Sequence, residues 1–255
     1  MKIFITITVS ILYFSLNAQI YKSNSVFALQ AKDKNTGKIA ADIGLFGINP
    51  KFSYSFWEHY TSSMNFSVFK NNNKEYLFGE LSGGYYKKMW EKGVFELNIG
   101  TGYGKAKGDV RIYLDTLIEN NNQALTNLIN VLPGLLDDEV EIIDIYTENN
   151  ILRFFAQPSI GYSSKFIELS FAMRISFIHS NITKPYETKN NMLFADPVGT
   201  FGFGYDAIML YVQAGFSVPV YVSHDHAFFS YDPILLSMGF AYRIGNLYKK
   251  NSLLY

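Results

Sequence analysis

The chain has 255 residues, 48% of them apolar, 17% aromatic and 17% charged, with 22 lysines and arginines against 22 acids. Charge is sparser than the roughly 25% usual in soluble domains, and zero net charge gives a nucleic-acid partner no support. The lack of cysteine excludes disulfides, a lipidated cysteine anchor and thiolate metal sites.

Residues 1–18 read as a signal peptide: Lys2 is a minimal basic region, 3–16 an apolar core, and Ala18 a plausible residue before cleavage. The run is too short for the roughly 20 residues of a spanning helix, and no later run is long and apolar enough to be one. Residues 19–37 are polar and mixed, a periplasmic lead-in with a short strand expected at 26–30. Ten period-2 segments follow, near 38–47, 51–57, 61–70, 75–88, 94–105, 151–163, 165–179, 192–205, 207–221 and 231–245. Residues 246–255 form a C-terminal tail.

The clearest segment is FIELSFAMRISFI, residues 166–178. Ile167, Leu169, Phe171, Met173, Ile175 and Phe177 share one face. Phe166, Glu168, Ser170, Ala172, Arg174, Ser176 and Ile178 share the other. It exceeds the soluble strand of roughly 5–6 residues and suffices for the roughly 9–11 that cross a bilayer. An exported chain without helical spans crosses a membrane only as a closed barrel, because lipid satisfies no unpaired backbone group.

The connectors agree. Those after the second, fourth, sixth and eighth segments are tight, whereas 106–150, 180–191 and 222–230 are long or polar. Short periplasmic turns and long outer loops mark an outer-membrane barrel with both termini in the periplasm, which requires an even strand number. The first and third connectors, INP and NNN, are short for outer loops. Trp57 and Trp90 fall at tight turns, with Tyr60, Tyr85, Tyr162, Tyr205 and Tyr242 near the same end, as in an interfacial girdle. A soluble barrel of lipocalin type is the structural rival. Its water-exposed face would be rich in Lys, Thr and Glu, whereas here the polar face carries Gly100, Gly102, Gly104, Ser237 and Gly239, suiting a narrow filled lumen.

The expected fold is therefore all-β: an antiparallel up-and-down transmembrane β-barrel of about ten strands over 38–245, or eight if two early segments merge. Within the long outer loop, 106–150, the spacing of Leu117, Ile118, Leu125, Leu128, Ile129 and Leu132 predicts a short helix ending at Pro133–Gly134. The acidic run that follows has no calcium-loop spacing.

By phase, Glu80, Glu96, Arg153, Glu168, Arg174 and Arg243 face the lumen, with Gln157 and Gln213 nearby. Buried charges are tolerable only when paired, so these read as a charge network filling the barrel, or as the lining of a small pore. His224-Asp225-His226, in an outer loop, reads as solvated; its chemical alternative is metal binding or activation of water. No nucleophile-elbow, phosphate-loop or HExxH motif is present.

The segments RFFAQPSIGYSSKFIELSFAMRISFI (153–178) and GELSGGYYKKMWEKGVFELNIGTGYGKA (79–106) resemble small outer-membrane β-barrel proteins of Bacteroidetes and, more distantly, the outer-membrane protein X and porin-like barrel superfamily. The resemblance implies the outer membrane of a Gram-negative bacterium and no carried-over catalytic residue. The expected function is structural or surface-interacting through the outer loops; the alternatives are a narrow porin-like channel and an outer-membrane hydrolase or acyltransferase. The expected partners are outer-membrane lipid and an extracellular or periplasmic protein, with no cofactor, metal or enzymatic activity. A closed barrel resists detergent until boiled, so heated and unheated outer-membrane fractions should migrate differently on a gel. Identical mobility, with the protein found in the soluble fraction, would overturn the barrel reading.

Overall fold

The computed structural model describes residues 35–44, 47–71, 74–113, 142–184, 187–205, 207–223 and 234–245. The strands are β1 (Gly37–Gly44), β2 (Gly47–Trp57), β3 (Tyr60–Lys70), β4 (Lys74–Trp90), β5 (Gly93–Tyr113), β6 (Ile142–Ser163), β7 (Ile167–Lys184), β8 (Thr188–Tyr205), β9 (Ile208–Phe216), β10 (Val218–Val222) and β11 (Ile234–Ile244). All pair antiparallel in one sheet. β9 and β10 both pair with β8 and are successive halves of one stave, interrupted at Ser217. β1 pairs with β2 on one edge and with β11 on the other, which closes the sheet into a ten-stave barrel. This is the architecture of a transmembrane β-barrel.

The register fixes its shape. Starting from Ile43, the hydrogen-bonded row runs through Ile48, Val68, Leu77 and Lys105 to Asn150. In the other direction it runs through Met238, Val212, Phe201 and Leu169 to Tyr162. The two ends meet on β6 with a stagger of twelve residues. Ten staves about 4.8 Å apart, with about 3.3 Å per residue, then tilt by about 40°, inside the usual range for barrels.

The alternation read from the sequence is the inside–outside alternation of this wall. On β7, Ile167, Leu169, Phe171, Ile175 and Phe177 are exposed on the outer face, whereas Glu168, Ala172, Arg174 and Ser176 are buried in the lumen. The outer apolar run from Ile167 to Phe177, tilted by about 40°, stands about 25 Å tall, the height of a lipid-facing band. At the tight-turn end, aromatic rings gather as expected. Tyr60 meets Tyr85 edge-on at 5.9 Å and Phe166 meets Tyr205 at 5.6 Å. The Lys165 ammonium sits 4.4 Å over the Tyr205 ring and 5.8 Å from that of Phe166. Trp57 and Trp90 are exposed at that end.

The structure corrects several boundaries. β5 continues to Tyr113 and β6 begins at Ile142, so residues 106–113 and 142–150 are paired wall rather than loop. β7 and β8 pair up to Ile182 and Thr188, where a loop over 180–191 was expected. Above the band both faces of these strands carry polar residues, and the period-2 contrast that marks a strand disappears. The first hairpin turns before the expected INP, which lies within β2; Gly47, with φ of 126°, supplies the left-handed backbone there. The expected signal peptide, the strand at 26–30, the loop helix and His224–His226 lie outside the described residues.

The glycines of β5 make room for large neighbours. A Cβ on Gly102 would stand 2.6 Å from the Phe78 ring and 2.9 Å from the Glu80 side chain, whereas one on Gly83 would find only the Thr61 carbonyl at 4.0 Å. Gly102→Val should lower stability by about 1–3 kcal/mol through overpacking. Gly83→Ala should be neutral. Urea midpoints for refolding into lipid vesicles would check both, and equal midpoints would contradict the packing argument.

Candidate functional site

Among the described residues, the lumen is where the fold concentrates chemistry. Its polar side chains arrive by strand parity, and the barrel's stagger brings together residues far apart in sequence. Lys51, Asn65, Glu80, Gly102 and Arg153 lie in one hydrogen-bonded row across β2 to β6.

Glu80 is the centre. Its Oε1 accepts from Arg153 Nη1 at 2.5 Å and from Arg174 Nη1 at 3.2 Å. Its Oε2 accepts from Arg174 Nη1 at 3.3 Å and from Asn65 Nδ2 at 3.1 Å. Arg174 also donates through Nε and Nη2 to Gln157 Oε1, at 3.1 and 3.0 Å. Each guanidinium lies over a ring: Arg153 is 4.7 Å from the Phe78 centroid and Arg174 is 4.5 Å from that of Phe155. One carboxylate thus serves two cations, and each cation gains a desolvated aromatic face. The cavity beside them, bounded by Ser63, Asn65, Gln157 and Arg174, is about 10 Å³. That admits at most about one water.

A second cluster closes the tight-turn end. Glu168 accepts from Lys38 Nζ on Oε1 and from Arg243 Nη2 on Oε2, both at 2.6 Å. Arg243 also donates to the Ser163 hydroxyl and the Ser164 carbonyl. β7 is thereby tied across the lumen to β1 and β11. A third cluster links Lys51 Nζ to Asp42 at 2.5 Å, with the Tyr211 hydroxyl donating to the same carboxylate at 2.9 Å. Lys51 also reaches Gln213 Oε1 at 3.4 Å, and Gln213 donates to the Thr200 hydroxyl.

Of the six charges read from the sequence, Glu80, Arg153 and Arg174 come together, and Glu168 and Arg243 form a separate pair. Glu96 is fully buried on β5, opposite Tyr86 and Ser159 in register, three inward positions from Gly102. The sequence reading missed Lys38, Asp42, Lys51 and Asp196. On β1 the signal was present: Lys38, Ala40 and Asp42 share one parity, opposite Ile39, Ala41 and Ile43. With half-buried Arg243, the buried charges of the described residues are Lys38, Lys51, Arg153, Arg174 and Arg243 against Asp42, Glu80, Glu96, Glu168 and Asp196. The signs balance, as a low-dielectric interior demands.

No protein-family model matches the chain, and no curated protein matches it. Among solved structures it is similar to the translocator domain of the autotransporter NalP from Neisseria meningitidis, with TM-score 0.41 and 9% identity over 85% of this chain and 90% of that one. It is also similar to the CymD monoaromatic hydrocarbon channel, with TM-score 0.34 and 8% identity over 84% and 89%.

Removing the shared acid should cost more than removing either base. Glu80→Leu leaves two buried guanidiniums uncompensated and should destabilise the barrel by about 3–5 kcal/mol. Arg174→Leu leaves Glu80 paired with Arg153 and should cost clearly less. Urea unfolding of the lipid-embedded barrel would check the order. Unchanged midpoints in both variants would show that the cluster is not structural.

Proposed function

We propose that the chain is an outer-membrane β-barrel protein of a Gram-negative bacterium whose lumen is filled, and that it acts without catalysis, structurally or as a surface for partners at its loop end. One observation carries this reading. Lys38–Glu168, Arg243–Glu168 and the Arg153–Glu80–Arg174 cluster cross the lumen at two levels, and the cavity beside the second admits at most about one water. A path for solutes would have to break buried ion pairs at both levels. The partners proposed with this reading are the lipid around the band and an extracellular or periplasmic protein.

A narrow porin-like channel is the second reading, and buried polar atoms favour it. Both amide atoms of Asn98 and the hydroxyls of Ser159, Ser176 and Ser237 have no partner within the protein. Such groups call for water, and a channel reading would supply it as wet spaces between the charge clusters. The hydrolase or acyltransferase reading rests on His224, Asp225 and His226, which lie outside the described residues.

Planar-bilayer recording separates the first two readings. The wild-type barrel should show no discrete conductance steps. The Glu80→Ala/Arg174→Ala double variant, if it still shows a heat-dependent gel shift, should show small ones. Steps in the wild type would favour the channel.

A further inference from the structure

On β5 to β8 the wall rises beyond the apolar band, and its outer face changes chemistry within two rows. Lys105, Asn150, Asn181 and Lys189 stand side by side in register across these four strands, all at outward positions. The row just below is Tyr103, Leu152, His179 and Asn191. Beneath it Phe154 and Phe177 are exposed on the band itself.

The two outer lysines differ from their neighbours. Lys107 and Lys184 are drawn to Glu148, at 3.6 and 3.4 Å. Glu75 stands opposite Lys107 in register, and Glu187 is exposed just before β8, both on the loop side of the row. Among the described residues no carboxylate engages Lys105 or Lys189, and both are exposed. Three strand spacings separate them, about 14 Å. Between them are two asparagines, and Asn181 Oδ1 has no partner within the protein. The Tyr103 hydroxyl donates to Asn150 Oδ1 at 3.4 Å, and His179 Nδ1 lies 2.8 Å from Asn191 Oδ1.

We propose that this patch binds the phosphorylated sugar headgroup of an outer-leaflet glycolipid. Lys105 and Lys189 would take its phosphates, Asn150 and Asn181 its hydroxyls, and Phe154 and Phe177 its acyl chains. The inference rests on the outer-membrane reading above, which sets the β5–β8 end in the outer leaflet. Two observations select this occupant. The patch runs without a break into the apolar band, so whatever covers its lower edge has tails in the bilayer. Its two lysines, engaged by no carboxylate among the described residues, stand about 14 Å apart at the backbone, a spacing that suits a headgroup phosphorylated at both ends of a disaccharide.

The test uses the full chain folded in zwitterionic detergent micelles, with bis-phosphorylated lipid A as the probe and native mass spectrometry as the readout. The wild type should retain the probe in preference to phosphatidylethanolamine. The Lys105→Gln/Lys189→Gln variant should bind it roughly 30-fold more weakly, from the usual contribution of a lysine near an anionic headgroup. The Lys87→Gln/Lys92→Gln variant, changed at the tight-turn end, should bind as the wild type does. Equal binding by all three proteins, equal weakening in both variants, or no preference over phosphatidylethanolamine would each overturn the proposal. If these results come from a barrel that shows the heat-dependent shift and fractionates with the outer membrane, the glycolipid inference alone fails. Loss of that shift and of membrane fractionation in the wild type would overturn the outer-membrane reading and this inference together.

Discussion

An apolar outer wall leaves a backbone amide no partner except the next strand, and the rest of the structure follows from that constraint. Every stave must have two neighbours, so the sheet closes, here through β1 and β11. Ten staves with a stagger of twelve fix the tilt and, with it, the width. Eight staves are filled by ordinary side chains, and ten leave more room. The interior meets this with unequal partners. Gly100, Gly102 and Gly104 on β5 sit against Phe78 on one side and Phe155 on the other. Arg153 and Arg174, among the largest fully buried side chains, span what remains.

A charged filling is costlier than an apolar one of the same volume, because each ion must first lose its water. Strand parity offers a reason for it. A slip of one residue exchanges the two faces of a strand. On β7 such a slip would turn Glu168 and Arg174 towards lipid and bring Phe171 and Ile175 into the lumen. Were both faces apolar, slipped and native registers would differ little. Lumen charges that pair across the barrel, such as Lys38 with Glu168, tie each stave's register to that of a distant stave. On this argument the clusters contribute more to choosing one closed arrangement than to its net stability.

How much of this was readable from the chain depended on local contrast. β7 was legible because its two faces differ at nearly every position. β1 was less so: Ala40 faces in and Ala41 faces out, and two alanines carry no contrast, which is why Lys38 and Asp42 escaped notice. The strand count and the tight turns needed only periodicity and turn residues. The pairings inside the lumen needed more. Glu80 meets Arg174, 94 positions away, because closure and stagger bring their strands across a common chord, and no local pattern encodes that. The excess loop length expected at 106–113, 142–150 and 180–184 has a related cause. There the wall leaves the band, and outer positions such as Lys107, Glu148 and Asn181 turn polar beside the inner Thr147, Asn149 and Ser180.

That loss of contrast is itself informative about where the wall meets water. Within the band, β6 and β7 carry apolar side chains outside and Arg153, Gln157, Glu168 and Arg174 inside. Towards the loop end the outer face changes to Asn150, His179 and Asn181. The lumen face gains Ile151, Ile178 and Ile182, joined by Met192 and Phe194 from β8, all fully buried. These apolar groups share the inner face with the equally buried Thr147, Asn149, Ser180 and Asn190, while the outer face turns polar. The outer change comes within adjacent rows on β6, β7 and β8, at Asn150, His179 and Asn191, and a packing accident on one strand would not align it so. The boundary between lipid and water is therefore written into the strands themselves, and among the described residues the β5–β8 side of the wall rises furthest past it.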